Sequence, residues 1–277
     1  SLNSDQLYKY SIILFFVSLI SLFLVPFIGV EVKGSKRWID LFFLPRFQPI
    51  EVLKPFLIII LATILCDIKS NILFKYLISI FLISFISLLL IAQPDIGQTL
   101  LVIFCWAVLI FTSGINIYIL LAIFIAGASL LTYLIIYVPR FDYIQGRIFS
   151  FFNRETGTHN FQSDKAIESI TSGGFFGKGI GEGVLKNRVP EAHTDYIISV
   201  ISEEFGVVAI MLILLLFLIL IYMVFKKISF ETNDKVKLIL IGSISLILMQ
   251  ATIHIGVNIR LFPTTGMTLP FLSYGGS

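Results

Sequence analysis

The chain has 277 residues, of which 57% are hydrophobic and 13% are charged, with 27 Phe and a formal net charge of +3. This composition excludes an ordinary soluble domain, which carries about a quarter charged residues. The modest charge, without clustered basic and aromatic residues, also excludes a nucleic-acid-binding protein.

Stretches without a charged side chain predict the membrane-spanning helices. Four of them have about the length that a helix needs to cross the hydrocarbon core of a bilayer. They lie between Lys9 and Glu31, Lys75 and Asp95, Glu204 and Lys226, and Lys237 and Arg260. Each predicts one span.

Three further spans complete the predicted bundle. The uncharged stretch from Ile96 to Pro139 is long enough for two helices, because polar residues and Gly114 interrupt it near its middle. A shorter apolar run, Pro55 to Cys66, becomes a span if Glu51 and Lys54 enter its first turn. The fold class predicted is therefore all-α: a polytopic membrane helix bundle with seven spans, forming a single domain over residues 1–277.

Successive connections between these helices lie on alternate sides of the membrane, so all the elaborate loops fall on one side. That side carries the large loop of residues 139–193 together with Glu31 to Ile50, Gln93 to Asp95 and Arg260 to Ser277. Lysines mark the short-loop side, as the positive-inside rule requires, but the Glu31 to Ile50 connection is also basic. Because basic residues kept outside suggest an anionic ligand, we place the long connections outside the cytoplasm.

The centre of the large loop, Gly173 to Gly183, superficially suggests a phosphate-binding loop. It lacks the full Walker spacing, follows no convincing strand and precedes no clear helix. The pattern therefore favours a flexible loop.

Ionisable residues at membrane depth are costly and point to candidate sites. Glu51 and Lys54 are three residues apart on one helix face, so they form an intrahelical pair, a functional pair facing a cavity, or both. Asp95 follows a proline and precedes an apolar run, which is typical of a helix N-cap. Glu203 shares a helix face with Asp195, where it lines a polar cleft or forms a structural pair. His254 is interpreted as a hydrogen-bonded core histidine.

The segment before the uncharged run from Glu204 to Lys226 differs from these residues. It brings Glu191, His193 and Asp195 together within five residues, at the predicted start of a long helix beginning at Thr194 or Asp195. An N-cap needs only one such side chain, so the cluster is a candidate site at the membrane boundary.

Five segments of the chain, in order, resemble the signature segments of the SEDS family of membrane proteins. They are Lys33–Asp40, Arg46–Lys54, Gln93–Gly97, Pro190–Asp195 and Gly266–Ser277. The last two are more similar to the division branch of the family than to the elongation branch. The resemblance covers essentially the whole chain, and it implies that the chain is a fragment lacking the first two and the last of ten membrane helices.

The resemblance implies a peptidoglycan glycosyltransferase that polymerises lipid II during septal cell wall synthesis. Asp195 matches the essential aspartate of the family, and its expected role is that of a general base in an inverting transfer with undecaprenyl pyrophosphate as leaving group. Arg46 and Lys54, with Lys36 and Arg37 as lesser candidates, are expected to bind the departing diphosphate.

The remaining substrate-binding candidates surround these residues. Glu51 is expected to orient Lys54, Trp38 to pack on sugar or isoprenoid, and Gln162 to hydrogen-bond the substrate. Glu191, His193 and Asp95 complete the set of predicted substrate-binding residues. The residues require no cofactor and no metal-ligand cluster is evident; a divalent cation, Mg²⁺ or Mn²⁺, bridging Asp195 and the diphosphate stays open.

The resemblance also implies partners and a location. The partners are membrane lipid, a cognate class B penicillin-binding protein and the division complex, and the location is the bacterial cytoplasmic membrane at the septum. Two other functions also account for a bundle with buried charges: a lipid II flippase or transporter, and a non-catalytic scaffold of the division complex.

Overall fold

A computed structural model describes residues 4–32, 35–41, 44–67, 71–152, 158–184 and 192–274. In this part of the chain the structure is predominantly helical, as predicted. The helices in chain order are α1 Ser4–Ile28, α2 Pro49–Leu65, α3 Ile72–Ala92, α4 Ile96–Thr112, α5 Ile117–Tyr137, α6 Asp142–Phe152, α7 Thr158–Gly173, α8 Ile197–Phe230 and α9 Asp234–Asn258.

A helix occupies each of the seven positions predicted to span the membrane. Five are long and apolar enough to cross it, namely Tyr8–Ile28 within α1 together with α3, α5, α8 and α9. The other two, α2 and α4, have 17 residues each. Apolar side chains such as Phe81 and Tyr118 are 74% and 78% exposed on these helices, as expected where lipid replaces water. The chain is a multi-pass membrane protein, and the count of seven spans stays a prediction.

The chain forms two compact units. One comprises Ser1–Leu121 and Val224–Leu246, and the other comprises Ala122–Met223 and Ile247–Gly275.

In the first unit α1 packs against α2, and α3 packs against α4. Trp106 of α4 donates its indole N–H to the Ser79 hydroxyl of α3 at 3.2 Å, which satisfies both polar groups inside the apolar core. Gly242 of α9 lies so close to α2 that a Cβ there would meet the Ile58 side chain at 2.7 Å. The absence of a side chain at this position therefore lets the helices approach closely.

The connection between α1 and α2 is a small antiparallel sheet that sequence reasoning did not predict. Its strands are β1 Val30–Val32, β2 Ser35–Leu41 and β3 Leu44–Phe47, in the order β1-β2-β3. Val30 pairs with Trp38, and Ile39 pairs with Phe47. The alternation of side chains along β2 decides which of its residues point inward.

In the second unit the first turns of α8 pack against the end of α9 and the segment that follows it. Ile198, Ala251 and Leu269 form the centre of this core. His254 of α9 is 1% exposed, and its Nδ1 lies 2.8 Å from the carbonyl oxygen of Met267. This confirms its interpretation as a hydrogen-bonded core histidine.

Candidate functional site

The start of α2 carries a buried ion pair. Pro49 begins the helix, which places Glu51 in its first turn, where the helix dipole favours a carboxylate. The Lys54 ammonium lies 2.6 Å from Glu51 Oε2, and the side chains are 3% and 12% exposed. Gln98 of α4 donates to the other oxygen, Oε1, at 2.6 Å. Both oxygens of Glu51 are therefore engaged, and Lys54 is held in one position.

Asp95 forms the second charged group of this unit. It is the N-cap of α4, as predicted, accepting a hydrogen bond from the backbone N–H of Gln98. Gln48 donates to Asp95 Oδ2 at 3.0 Å, and Arg37 Nε lies 3.8 Å from the same oxygen. Burial raises the pKa of the Asp95 carboxyl, and the Arg37 guanidinium opposes that rise. Asp95 therefore joins α4 to β2 and to the start of α2.

The basic residues of the sheet fall on two faces. Arg37 points inward and donates to the carbonyl oxygens of Gln93 and Pro94, whereas Lys36 is exposed and Trp38 is half-buried. Arg46 lies on the surface, 61% exposed, with its Nε 2.7 Å from Asp40 Oδ2. Arg37 is therefore the more buried of the two arginines, and Arg46 is the more accessible.

Asp195 lies in the second unit, in a turn that precedes α8. The predicted helix start at Thr194 or Asp195 is two or more residues early, because the helix begins at Ile197 and the first helical N–H groups bond to the carbonyl of Tyr196. Tyr196, not Asp195, therefore holds the N-cap position. Burial raises the pKa of the Tyr196 phenol to about 12, so it stays protonated at neutral pH.

Three hydrogen bonds from distant parts of the chain hold the backbone around Asp195. Asn258 at the end of α9 donates its amide to the carbonyl oxygen of Asp195 at 3.0 Å. Ser273 donates to the carbonyl of Thr194 at 2.7 Å, and the backbone N–H of Tyr274 donates to that of His193 at 3.0 Å. The Asp195 side chain is half-buried. The carboxylate is thus carried on a fixed backbone while staying accessible.

The other candidate side chains of the second unit differ in their exposure. His193 is exposed, and Gln162 is half-buried on α7. Glu191 lies outside the described residues. The substrate-binding roles of all these residues stay predictions, as does a joint site of Asp195 with Arg46 and Lys54.

Sequence reasoning missed the neutral residues that support the charged ones, namely Gln48, Gln98, Asn258 and Ser273. Gln98 and Asn258 are polar residues inside apolar helices, and such residues usually mark a buried partner. That signal was present in the sequence, but it did not identify the partner.

The described residues contain no group of three or more His, Cys, Asp or Glu side chains able to hold a metal ion. Cys66, at the end of α2, is half-buried, and Cys105, within α4, is buried; both are free thiols.

Comparison with known proteins identifies relatives over the full length of the chain. The family model of the FtsW, RodA and SpoVE proteins, described as cell cycle protein, matches residues 1–277. The probable peptidoglycan glycosyltransferase FtsW of Caulobacter vibrioides (strain NA1000 / CB15N) is 35% identical over 91% of this chain and 64% of its own length. The protein of the same name from Francisella salina is 37% identical over 95% and 67%. The chain therefore spans about two thirds of the length of these relatives.

Solved structures give the same family. A chain of a peptidoglycan synthase complex, described as coordinating polymerization and crosslinking, superimposes with a TM-score of 0.82 at 28% identity, over 100% of this chain and 78% of the other. The rod shape determining protein RodA of Thermus thermophilus gives a TM-score of 0.69 at 28% identity, over 100% and 75%. The chain belongs to the FtsW/RodA/SpoVE family, which confirms the SEDS resemblance and its closer similarity to the division branch.

Proposed function

We propose that the protein containing this chain is a peptidoglycan glycosyltransferase that polymerises lipid II, with Asp195 as its general base. The single observation that carries the proposal is the position of Asp195 in a member of this family. Its accessible carboxylate stands on a backbone fixed by Asn258, Ser273 and Tyr274. A general base needs such a position, because it must lie within hydrogen-bond reach of the proton that it removes.

The proposed reaction joins two glycans and releases a diphosphate. The C4 hydroxyl of the acceptor GlcNAc attacks the anomeric carbon of the donor MurNAc, and its proton passes to the Asp195 carboxylate. The bond from that carbon to the diphosphate oxygen breaks, so undecaprenyl pyrophosphate leaves with the bonding electrons and the configuration inverts. Asp195 then returns the proton to solvent.

The departing diphosphate needs cations, and the candidates differ in how easily they can change partner. Arg46 pairs with Asp40 where both side chains are exposed, and such a pair is worth only about 0–1 kcal/mol. A diphosphate can replace Asp40 at little cost. Lys54 is held by Glu51 in a buried pair, so it acts as a fixed charge. We assign Arg46, with the exposed Lys36, to direct contact with the diphosphate, and Lys54 to shaping the field around it.

Family membership also supports the partner and the cellular process expected from the sequence. The structural relative in a peptidoglycan synthase complex supports a penicillin-binding protein of class B as partner, and the FtsW relatives support a place in septal wall synthesis. The proposed substrate reaches the site from the bilayer, in which its undecaprenyl chain is anchored.

The test is polymerisation of fluorescent lipid II by the full-length protein with its class B partner in proteoliposomes. Asp195→Asn should lower the rate by about 10²–10⁴-fold, the usual contribution of a general base, with little change in thermal stability because the side chain is half-buried. Asp142→Asn, at an exposed carboxylate at the start of α6, is the matched control and should keep the wild-type rate.

A folded Asp195→Asn protein that polymerises at the wild-type rate would refute the assignment. Movement of lipid II between leaflets, with polymerisation by the complex unaffected by the substitution, would instead identify a flippase. A wild-type protein that shows neither activity, together with an Asp195→Asn variant that fully supports cell division, would instead identify a scaffold.

A further inference from the structure

The helix that follows Asp195 is broken within its third turn. Gly206 in α8 has φ 76° and ψ −175°, which no helical residue adopts, so residues 197–205 form a short half-helix separate from residues 207–230. A break of this kind frees backbone groups that would otherwise bond to each other along the helix. Two of the carbonyls freed are those of Glu203 and Glu204, and two of the N–H groups freed are those of Val207 and Val208.

The segment Gly173–Gly183, here called the glycine segment, takes up these four groups. The N–H groups of Lys178 and Gly179 donate to the carbonyls of Glu203 and Glu204 at 2.9 and 3.0 Å. The N–H groups of Val207 and Val208 donate to the carbonyls of Gly174 and Phe175 at 3.0 and 3.3 Å. The segment therefore lies inside the break as part of the fold, which corrects its interpretation as a flexible loop.

Glycine is required here because the two backbones approach too closely for side chains. A Cβ on Gly177 would lie 2.1 Å from the carbonyl oxygen of Glu204, and one on Gly206 would lie 2.2 Å from that of Phe175. Gly177 and Gly206 also have positive φ angles of 78° and 76°, which other residues rarely adopt.

Side chains also hold the glycine segment against α8, at the contact that is here called the junction. Glu203 is 0% exposed, with Oε1 3.3 Å from the Lys178 ammonium. Its Oε2 accepts a hydrogen bond from Ser169 at 3.1 Å, near the end of α7. The Glu204 carboxylate accepts from the N–H of Gly181 at 3.1 Å. One buried carboxylate thus joins α7, the glycine segment and the half-helix.

We propose that Glu203, Lys178 and Ser169 are positioning residues for Asp195, a role that rests on the proposed function. The half-helix begins two residues after Asp195, so its direction sets where the carboxylate stands. Release of the glycine segment lets Val207 and Val208 bond to Glu203 and Glu204 as in an uninterrupted helix, which straightens α8. Nine residues make a lever of about 13 Å, so a turn of about 5° at the break moves its Asp195 end by about 1 Å. A misplacement of about 1 Å costs on the order of 10²-fold in rate.

The test compares Lys178→Ala with Lys178→Arg in the full-length protein with its class B partner. Lys178→Ala should lower kcat for lipid II polymerisation by about 10–100-fold, with KM within about twofold of wild type. Lys178→Arg keeps a cation at Glu203 and should recover most of kcat. Lys165→Ala, which breaks the ion pair of Lys165 with Glu168 on α7, is the control and should change neither constant.

Hydrogen exchange supplies a measurement independent of activity. The amides of residues 178 and 179 should lose protection together in Lys178→Ala and keep it in Lys178→Arg, because their acceptors are the carbonyls of Glu203 and Glu204. The amides of Val207 and Val208 should stay protected in both variants, because they exchange one carbonyl acceptor for another. Ser169→Ala, which keeps the ion pair, should give a smaller effect in the same direction and serves if Lys178→Ala does not fold.

The outcomes separate the two proposals. Wild-type kcat and wild-type protection in Lys178→Ala would overturn the positioning role, and so would a rise in KM alone, which would make Lys178 a substrate contact. An inactive wild-type protein with the expected exchange pattern would refute the proposed function while leaving the junction itself established.

Discussion

Loss of the Lys54 ammonium should destabilise the protein strongly, because it leaves the Glu51 carboxylate buried without its cation. The two side chains are 3% and 12% exposed and 2.6 Å apart. Breaking a buried pair by removing one partner costs about 3–5 kcal/mol. At about 2–4 °C per kcal/mol for a chain of this size, Lys54→Met should lower the melting temperature by roughly 6–20 °C.

Removing both charges together should restore most of that stability. In Glu51→Gln/Lys54→Met the side-chain carbonyl of the new residue still accepts the hydrogen bond from Gln98, and neutral replacements of buried pairs are often as stable as the pair. The double variant should unfold within about 1 kcal/mol of wild type. It should nevertheless remain impaired in lipid II polymerisation, since the proposed electrostatic contribution of Lys54 is absent.

Melting of the purified full-length protein in one detergent, together with polymerisation in proteoliposomes, measures both effects. Arg46→Ala is the control for stability, because its exposed pair with Asp40 is worth only about 0–1 kcal/mol. A melting temperature of Lys54→Met within 2 °C of wild type, on the scale of about 2–4 °C per kcal/mol, would refute the burial argument. Wild-type polymerisation by the double variant would show that the pair is structural only.

Two further predictions concern stability. Arg260 has φ 60° and is paired with Asp164. Arg260→Gly and Arg260→Ala lose the same ion pair, but only glycine adopts the left-handed backbone without strain, so the glycine variant should be more stable than the alanine variant by about 1 kcal/mol in thermal unfolding. Equal stability of the two variants would contradict this. Burial raises the pKa of the Asp95 carboxyl, against the influence of Arg37, so its stabilising contribution is complete below the ordinary Asp pKa of about 3.9 and is lost as the pH rises through the raised value. Wild type should therefore lose stability relative to Asp95→Asn as the pH rises over that window, and a difference independent of pH would refute it.

Features that depend on neighbouring residues were predicted well from the sequence. Asp95 is the N-cap of α4 because it directly precedes an apolar run, and Glu51 and Lys54 pair because residues three apart share a helix face. Both interpretations of this pair stay compatible with its buried geometry. The helices themselves followed from the spacing of charges, since a bilayer excludes charged side chains from long stretches of chain.

Features that depend on distant residues were not predicted from the sequence. Lys36, Arg37 and Arg46 have the same charge within eleven residues, but in the folded protein Arg37 alone of the three bonds to the carbonyls of Gln93 and Pro94, in the connection between α3 and α4. The glycine segment suggested flexibility because its hydrogen-bond partners lie in α8, about 30 residues further along the chain. A backbone with no local partners is indistinguishable, in sequence, from one whose partners are remote.

By itself the sequence determined that this protein lies in a lipid bilayer and where its apolar helices are. It also indicated the family and the carboxylate proposed for catalysis. The first two are properties of composition and of short-range order, and the other two follow from ordered motifs that resemble those of the family. Only the tertiary structure decided which charges are buried, where α8 is interrupted and which segments hold the backbone at Asp195. Such choices depend on desolvation and on hydrogen bonds between distant segments, which exist only once the helices have packed.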